Sequence, residues 1–131
     1  MIYLDTSVVI AHLLAEDHRP GPGIWDQPLV SSRLLEYELW TRLNARGLHD
    51  SHGAAAKALI GRLAIVELIP EIVGRALEPF PVPLRTLDAL HLASAVFLKE
   101  HGQQITLASY DERLLSAASS IGINSHPLHN G

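Results

Sequence analysis

Apolar residues along this chain fall into short continuous runs separated by stretches of helical spacing, a pattern that predicts strands interleaved with helices. Ile2-Tyr3-Leu4 reads as a buried strand that leads into a helix over about residues 7–15. Breakers at Pro20-Gly21-Pro22-Gly23 mark a loop across residues 18–28, and Leu29-Val30-Ser31 reads as a second strand. Ser32 has the chemistry of an N-cap for a helix running to Arg46, with Gly47 as its stop. An Ala-rich helix is predicted over residues 51–63, a third strand over 64–69 and a short helix near 71–77. The prolines at 79, 81 and 83 keep the next segment out of helix. Thr86 is a candidate N-cap for a helix to His101, residues 105–108 form a fourth strand, and Asp111 or Glu112 opens a last helix ended by Gly122. Ile123-Asn124-Ser125 is a candidate fifth, edge strand.

Strands that alternate with helices pair in parallel through right-handed crossovers. The expected fold is therefore α/β: a three-layer α/β/α domain around a central parallel sheet of four to five strands. The 131 residues fit one domain, spanning 1–131.

Three carboxylates stand at element boundaries, Asp5 after the first strand, Asp88 in a helix first turn and Asp111 after the fourth strand, and a fourth, Glu38, lies within the second helix. In open parallel sheets the carboxyl ends of the strands form the edge where ligands bind. Asp5 and Asp111 belong at that edge by position, and Asp88 can join them from its helix N-terminus. An all-oxygen donor set suits a hard divalent cation, Mg²⁺ or Mn²⁺, rather than zinc.

Composition narrows the chemistry. The absence of cysteine excludes a disulfide framework and a thiolate zinc site. A net charge of −4, from 10 Lys+Arg against 14 Asp+Glu, has the wrong sign for coating nucleic acid through bulk electrostatics. If a polyanion is the substrate, cations bound among the acids must offset the global charge. The N-terminal stretch lacks the features of a signal peptide, and no apolar run approaches the ~20 residues needed to span a bilayer. The expectation is a soluble, cytoplasmic protein.

Each acid also has a plain structural reading. Asp5 and Asp111 can cap helices, worth roughly 0.5–2 kcal/mol, and Asp88 can favour a helix dipole from the first turn. Singly, Asp111 reads as a cap and Asp88 is balanced; Asp5 is harder to dismiss, since it directly follows the most buried strand. Glu38 can pair with Arg42 at i,i+4 for a few tenths of a kcal/mol. Glu36 competes with it as the functional acid. Leu35, Leu39 and Leu43 make one helix face with the two glutamates on opposite flanks, so periodicity does not choose between them.

Four blocks carry a resemblance. They are Met1-Ile2-Tyr3-Leu4-Asp5-Thr6-Ser7, Val30-Ser31-Ser32-Arg33-Leu34 leading to Glu38-Leu39, Leu87-Asp88-Ala89-Leu90-His91-Leu92-Ala93-Ser94-Ala95, and Leu107-Ala108-Ser109-Tyr110-Asp111-Glu112-Arg113-Leu114. In this order they resemble the PIN-domain ribonucleases, most closely the VapC toxins of VapBC toxin–antitoxin pairs. The resemblance spans almost the whole chain, and is weakest from His49 to Pro83. The spacing from the Ser-Ser pair favours Glu38 over Glu36. Ser109 stands where the family more often has Thr, and the hydroxyl is kept.

That resemblance implies a Mg²⁺-dependent endoribonuclease, with Mn²⁺ able to substitute, in which Asp5, Glu38, Asp88 and Asp111 are catalytic and ligate metal. Thr6 and Ser109 would support them as hydroxyl partners, although capping is an equal reading for both. It also implies an RNA substrate, a VapB-like antitoxin that covers the acidic groove, and a homodimer. The rival readings are a non-catalytic PIN-like protein-binding module, and a phosphatase with Asp5 as nucleophile. The phosphatase chemistry usually needs a second Asp where this chain has Ser7.

Other signals rank lower. His91, three residues after Asp88, is placed to contact a ligand or phosphate, but a packed helix histidine with a satisfied nitrogen is the commoner cause of such spacing. His49-x-x-His52 and His126-x-x-His129 have metal-compatible spacing but no evident third ligand, and read as surface pairs. Arg33, Arg42, Arg46, Lys57 and Arg62 read as a solvated face, part of which, with Arg85 and Arg113, can hold RNA phosphates. Tyr37, Trp40 and Tyr110 can stack on bases, though aromatic residues near helices more often pack.

Overall fold

Successive residues of the first strand point to opposite faces of the sheet, and this divides the core in two. Ile2 and Leu4 join Leu35, Leu39, Leu43, Ala56 and Leu59 on one side, whereas Tyr3 joins Val30, Leu92, Leu107 and Leu114 on the other. A computed structural model describes residues 1–128. His129, one half of the predicted tail pair, lies outside the described residues.

The elements run β1 (Ile2–Leu4), α1 (Thr6–Leu13), a 3₁₀ turn (Pro22–Asp26), β2 (Leu29–Ser32), α2 (Arg33–Ala45), α3 (His49–Gly61), β3 (Ala64–Val66), α4 (Pro70–Ala76), α5 (Thr86–Glu100), β4 (Thr106–Ala108) and α6 (Glu112–Ser120). The four strands form one parallel sheet in the order β3-β2-β1-β4, with Tyr3 opposite Val30 on one side and Leu107 on the other. Helices α1, α2 and α3 supply one outer layer, and α5 and α6 pack on the other face. The α/β architecture read from the sequence is the one observed.

Local chemistry explains most boundaries. Ser32 caps α2 by accepting a hydrogen bond from the Leu34 amide at 3.1 Å. Gly47 and Gly122 follow α2 and α6 with φ of +68° and +83°, the left-handed conformation that ends helices and favours glycine. Three expectations shift. The third strand stops at Val66 instead of reaching residue 69. Thr86 is the first residue of α5, with Arg85 at the cap position and no side-chain cap bond. The proposed fifth strand reduces to one parallel bridge, Leu107 to Ser125.

Sheet order decides where a ligand can sit. From β1 the chain crosses to β2 on one side, while β4 pairs on the other. In open α/β sheets the binding crevice lies at such a reversal, beyond the strand carboxyl ends. The residues that follow β1 and β4 are Asp5 and Ser109, held together by the Asp5 amide donating to the Ala108 carbonyl at 3.0 Å.

Candidate active site

All four acids read from the sequence line one cavity of about 400 Å³, together with Thr6, Arg42, Arg85 and Tyr110. Asp5 is buried and stands at the N-cap position of α1, yet it makes no side-chain cap bond, so the capping role does not hold. Instead its Oδ2 accepts hydrogen bonds from Ser7 Oγ at 2.7 Å and Ser109 Oγ at 2.8 Å. Ser7 Oγ accepts the Tyr110 amide in turn, at 3.1 Å, and Ser109 Oγ accepts the Asp111 amide at 2.9 Å. Hydroxyls from both strand ends thus orient one carboxylate. Ser7 was not singled out from sequence, although its position two residues beyond Asp5 was the available signal.

Glu38 reaches the cavity from α2. Its predicted partner Arg42 forms no ion pair with it among the described residues; Glu38 Oε1 accepts from Thr6 Oγ1 at 2.8 Å and lies 2.6 Å from His91 Nε2. Glu36 is bound instead to the exposed Arg33 at 3.1 Å, away from the site. Thr6 therefore joins Glu38, whereas Ser109 joins Asp5. The two hydroxyls named from the sequence both bond site carboxylates.

His91 is fully buried and uses both ring nitrogens. Nδ1 lies 2.7 Å from the Tyr3 hydroxyl, and Nε2 faces Glu38, with Asp5 Oδ1 at 3.9 Å. Burial pushes the Tyr3 phenol far above its ordinary pKa, so it stays a donor. Tyr3 donating to Nδ1 leaves the proton on Nε2, aimed at Glu38. The satisfied-nitrogen reading of His91 holds, but its partner is a site carboxylate and not packing alone.

Asp88 and Asp111 share a cation. Arg85 Nε lies 3.2 Å from Asp88 Oδ2, and its terminal nitrogen lies 3.0 Å from Asp111 Oδ2. Asp111 also caps α6, its Oδ1 accepting from the Arg113 and Leu114 amides at 2.9 and 3.2 Å. One oxygen serves the helix and the other faces the site. Burial pushes the Asp88 carboxyl above its ordinary pKa; Arg85 opposes the rise, and the nearby Asp5 and Asp111 charges add to it.

The donor set is all carboxylate and hydroxyl oxygen, the chemistry of a hard divalent cation. Arg85 already supplies positive charge between two of the acids. No group of three His, Asp or Glu side chains among the described residues is drawn up as a finished metal cage. Like charges repel unless a cation joins them, which gives a physical reason for carboxylates that stand apart.

The remaining sequence candidates disperse. His49 pairs with Asp50 at 3.3 Å and packs on Trp40, and His52 faces Ser51. Arg33 is committed to Glu67 at 2.7 Å and to Glu36, and Arg62 donates to the Trp25 carbonyl at 2.6 Å. Of the aromatic residues named, Tyr37 is exposed, Trp40 packs against the core, and Tyr110 lines the cavity.

A family model for the PIN domain matches residues 2–119. The chain belongs to the PIN-domain family. Curated relatives include Ribonuclease VapC47 of Mycobacterium tuberculosis, 32% identical over 129 residues and covering 93% of each chain. Ribonuclease VapC46 of the same species is 30% identical over 126 residues, with 93% of each chain covered. Among solved structures, this PIN domain superposes on M. tuberculosis VapC20, a toxin described as cleaving the sarcin–ricin loop. The TM-score is 0.70 at 21% identity, covering 96% of this chain and 98% of that one. It also matches a chain of a toxin–antitoxin complex from Klebsiella pneumoniae, with a TM-score of 0.57 at 14% identity, covering 85% and 87%. At those identities the likeness speaks for the fold. The ancestry rests on the family match and the VapC relatives.

Proposed function

We propose that this PIN domain is a divalent-metal-dependent endoribonuclease and the toxin of a toxin–antitoxin pair. The observation that carries the reading is the convergence of Asp5, Glu38, Asp88 and Asp111 on one cavity at the sheet's reversal point. The kinship with VapC ribonucleases supports the same activity.

Asp5 and Asp88 are the central metal ligands on this reading, with Glu38 and Asp111 completing the site. When bound, Mg²⁺ or Mn²⁺ supplies Lewis acidity and charge neutralisation for hydrolysis of a phosphodiester. The chain's own groups do the positioning. Ser7 and Ser109 aim Asp5, and the Thr6–His91 pair turns Glu38 inward. Arg42, exposed and unpaired among the described residues, is the cation on the cavity wall free to take an RNA phosphate. Arg85 must leave Asp111 or Asp88 before both can ligate.

A VapB-like antitoxin is the proposed partner, with an Arg or Lys placed among the acids as Arg85 is now. A homodimer is proposed with it, and the exposed Ile69, Val73 and Leu77, spaced four apart from the start of α4, offer an apolar face. None of the described helices is long and apolar enough to cross a membrane. On this reading the protein acts in the cytoplasm, where RNA and antitoxin are made.

The test is cleavage of RNA by wild type, Asp5→Asn and Asp88→Asn in Mg²⁺, alongside thermal unfolding of each. Both variants are expected to lose cleavage while still unfolding cooperatively within several degrees of wild type, which shows that they are folded. Full cleavage in either one overturns the site assignment.

A further inference from the structure

Asp111 has no carboxylate oxygen to spare for a cation. Its Oδ1 accepts the Arg113 and Leu114 amides, and its Oδ2 faces a terminal nitrogen of Arg85 at 3.0 Å. The same guanidinium reaches Asp88 Oδ2 through Nε at 3.2 Å, so one side chain bridges two of the four acids. Arg85 thus stands in for a cation at the place where a divalent ion would have to join these two carboxylates.

The bridge is built to open. Arg85 stands at the N-cap position of α5, where its carbonyl accepts the Ala89 amide at 3.0 Å. Leu84 beside it packs against the second core, so the backbone is held on both sides. The side chain is not held: it is 77% exposed, whereas Asp88 and Asp111 are 15% and 22% exposed. Ion pairs open to water contribute little to stability and are easily exchanged. A guanidinium binds carboxylate and phosphate through the same planar fork, and it keeps its charge throughout the neutral range.

Resting on the nuclease reading, we propose that Arg85 is an exchangeable phosphate ligand. Without a divalent ion it neutralises Asp88 and Asp111; when those acids turn to the ion, Arg85 is released and takes a phosphate of the RNA. Arg42 and Arg85 are the two cations that line the cavity. In a chain of net charge −4, RNA that approaches bare acids is repelled. The exchange ties the second cation's availability to the presence of metal, so RNA is gripped only by a loaded site. A purely structural clip between α5 and α6 has the opposite signature, since its loss would loosen the acids and weaken metal binding.

The experiment titrates Mg²⁺ calorimetrically into metal-free protein without RNA, then measures cleavage of a short single-stranded RNA at saturating Mg²⁺ over a range of salt. Wild type is compared with Arg85→Gln and Arg85→Lys, and thermal unfolding reports that each is folded. Arg85→Gln is expected to bind Mg²⁺ about two- to thirtyfold more tightly, the scale of two exposed ion pairs. Its KM for RNA is expected to rise, and the slope of log KM against log salt to become shallower by about 0.7, the loss of one phosphate contact. Arg85→Lys, which keeps the charge but not the fork, is expected to fall between the two in both measurements. Mg²⁺ affinity that is unchanged or weaker in Arg85→Gln overturns the exchange, as does an unaltered KM or salt slope; either result leaves the nuclease reading standing where wild type cleaves RNA. No Mg²⁺ binding and no cleavage by wild type overturns both.

Discussion

His91 Nε2 and Glu38 Oε1 lie 2.6 Å apart, joining α5 to α2 across the buried wall of the acidic cavity. The bond continues through Nδ1 to the Tyr3 hydroxyl in the central strand, at 2.7 Å. One imidazole therefore couples the sheet interior to the direction in which a site carboxylate points.

Replacing His91 by Phe keeps an aromatic ring but strands the buried Tyr3 hydroxyl, while Glu38 keeps its bond from Thr6. Each buried polar group left unsatisfied costs about 1–3 kcal/mol. His91→Phe is expected to lower the denaturant midpoint, and adding Tyr3→Phe to recover part of the loss because one orphaned group disappears. A double-mutant cycle in urea checks this. Strictly additive effects of the two substitutions would show that the Tyr3–His91 bond carries no coupling.

Ser109 and Ser7 meet on the same oxygen of Asp5, at 2.8 and 2.7 Å. Ser109→Ala is expected to reduce kcat about tenfold by loosening Asp5, with a loss of about 1 kcal/mol in stability. Ser109→Thr retains the hydroxyl and is expected to stay within a fewfold of wild type. Steady-state kinetics on a short RNA substrate distinguishes the two, and an unchanged kcat in the alanine variant would remove Ser109 from the positioning network.

Asp88 makes stability fall with pH. Burial first, then the charges of Asp5 and Asp111, raise its folded-state pKa despite the opposing Arg85. The folded protein therefore holds this proton more tightly than the unfolded chain, whose carboxylate titrates near ~3.9. The stabilisation from the protonated form is lost as pH rises from that value through the folded-state pKa, and stays lost above it. In EDTA, Asp88→Asn is expected to unfold a few degrees above wild type at pH 7, with the gap closing below about pH 4. Saturating Mg²⁺ is expected to stabilise wild type selectively, since only the intact ligand set binds it well. Calorimetry across pH, with and without metal, measures both effects, and a variant less stable than wild type at pH 7 in EDTA contradicts the sign.

Much of the architecture was legible in the residues because it depends on local chemistry. Ile2-Tyr3-Leu4 must be buried on both faces, Ser32 can cap, and Gly47 and Gly122 accept left-handed backbone. Residues 123–125 show the boundary of such reasoning. Their apolar start suits a strand, but strand formation needs a partner edge in register, and only Ser125 meets β4.

The positions of Asp5 and Asp111 followed from their places after strands and that of Asp88 from a helix first turn, and the family pattern chose Glu38 over Glu36. Tertiary structure decided what each acid touches. Arg42 is one helical turn from Glu38, close enough for the pairing that periodicity allows, yet Glu38 turns to Thr6 and His91, which are 32 and 53 residues away. A buried hydrogen bond to a satisfied imidazole outweighs an exposed ion pair worth a few tenths of a kcal/mol. Likewise Asp111 divides its oxygens between a helix end and Arg85, a division visible only once α5 and α6 are packed side by side. The sequence by itself determined most of the elements and brought its three Asp residues to one edge of the sheet. Only the folded chain, by placing distant donors within hydrogen-bond reach, decided which of those acids are aimed, which are shared, and by whom.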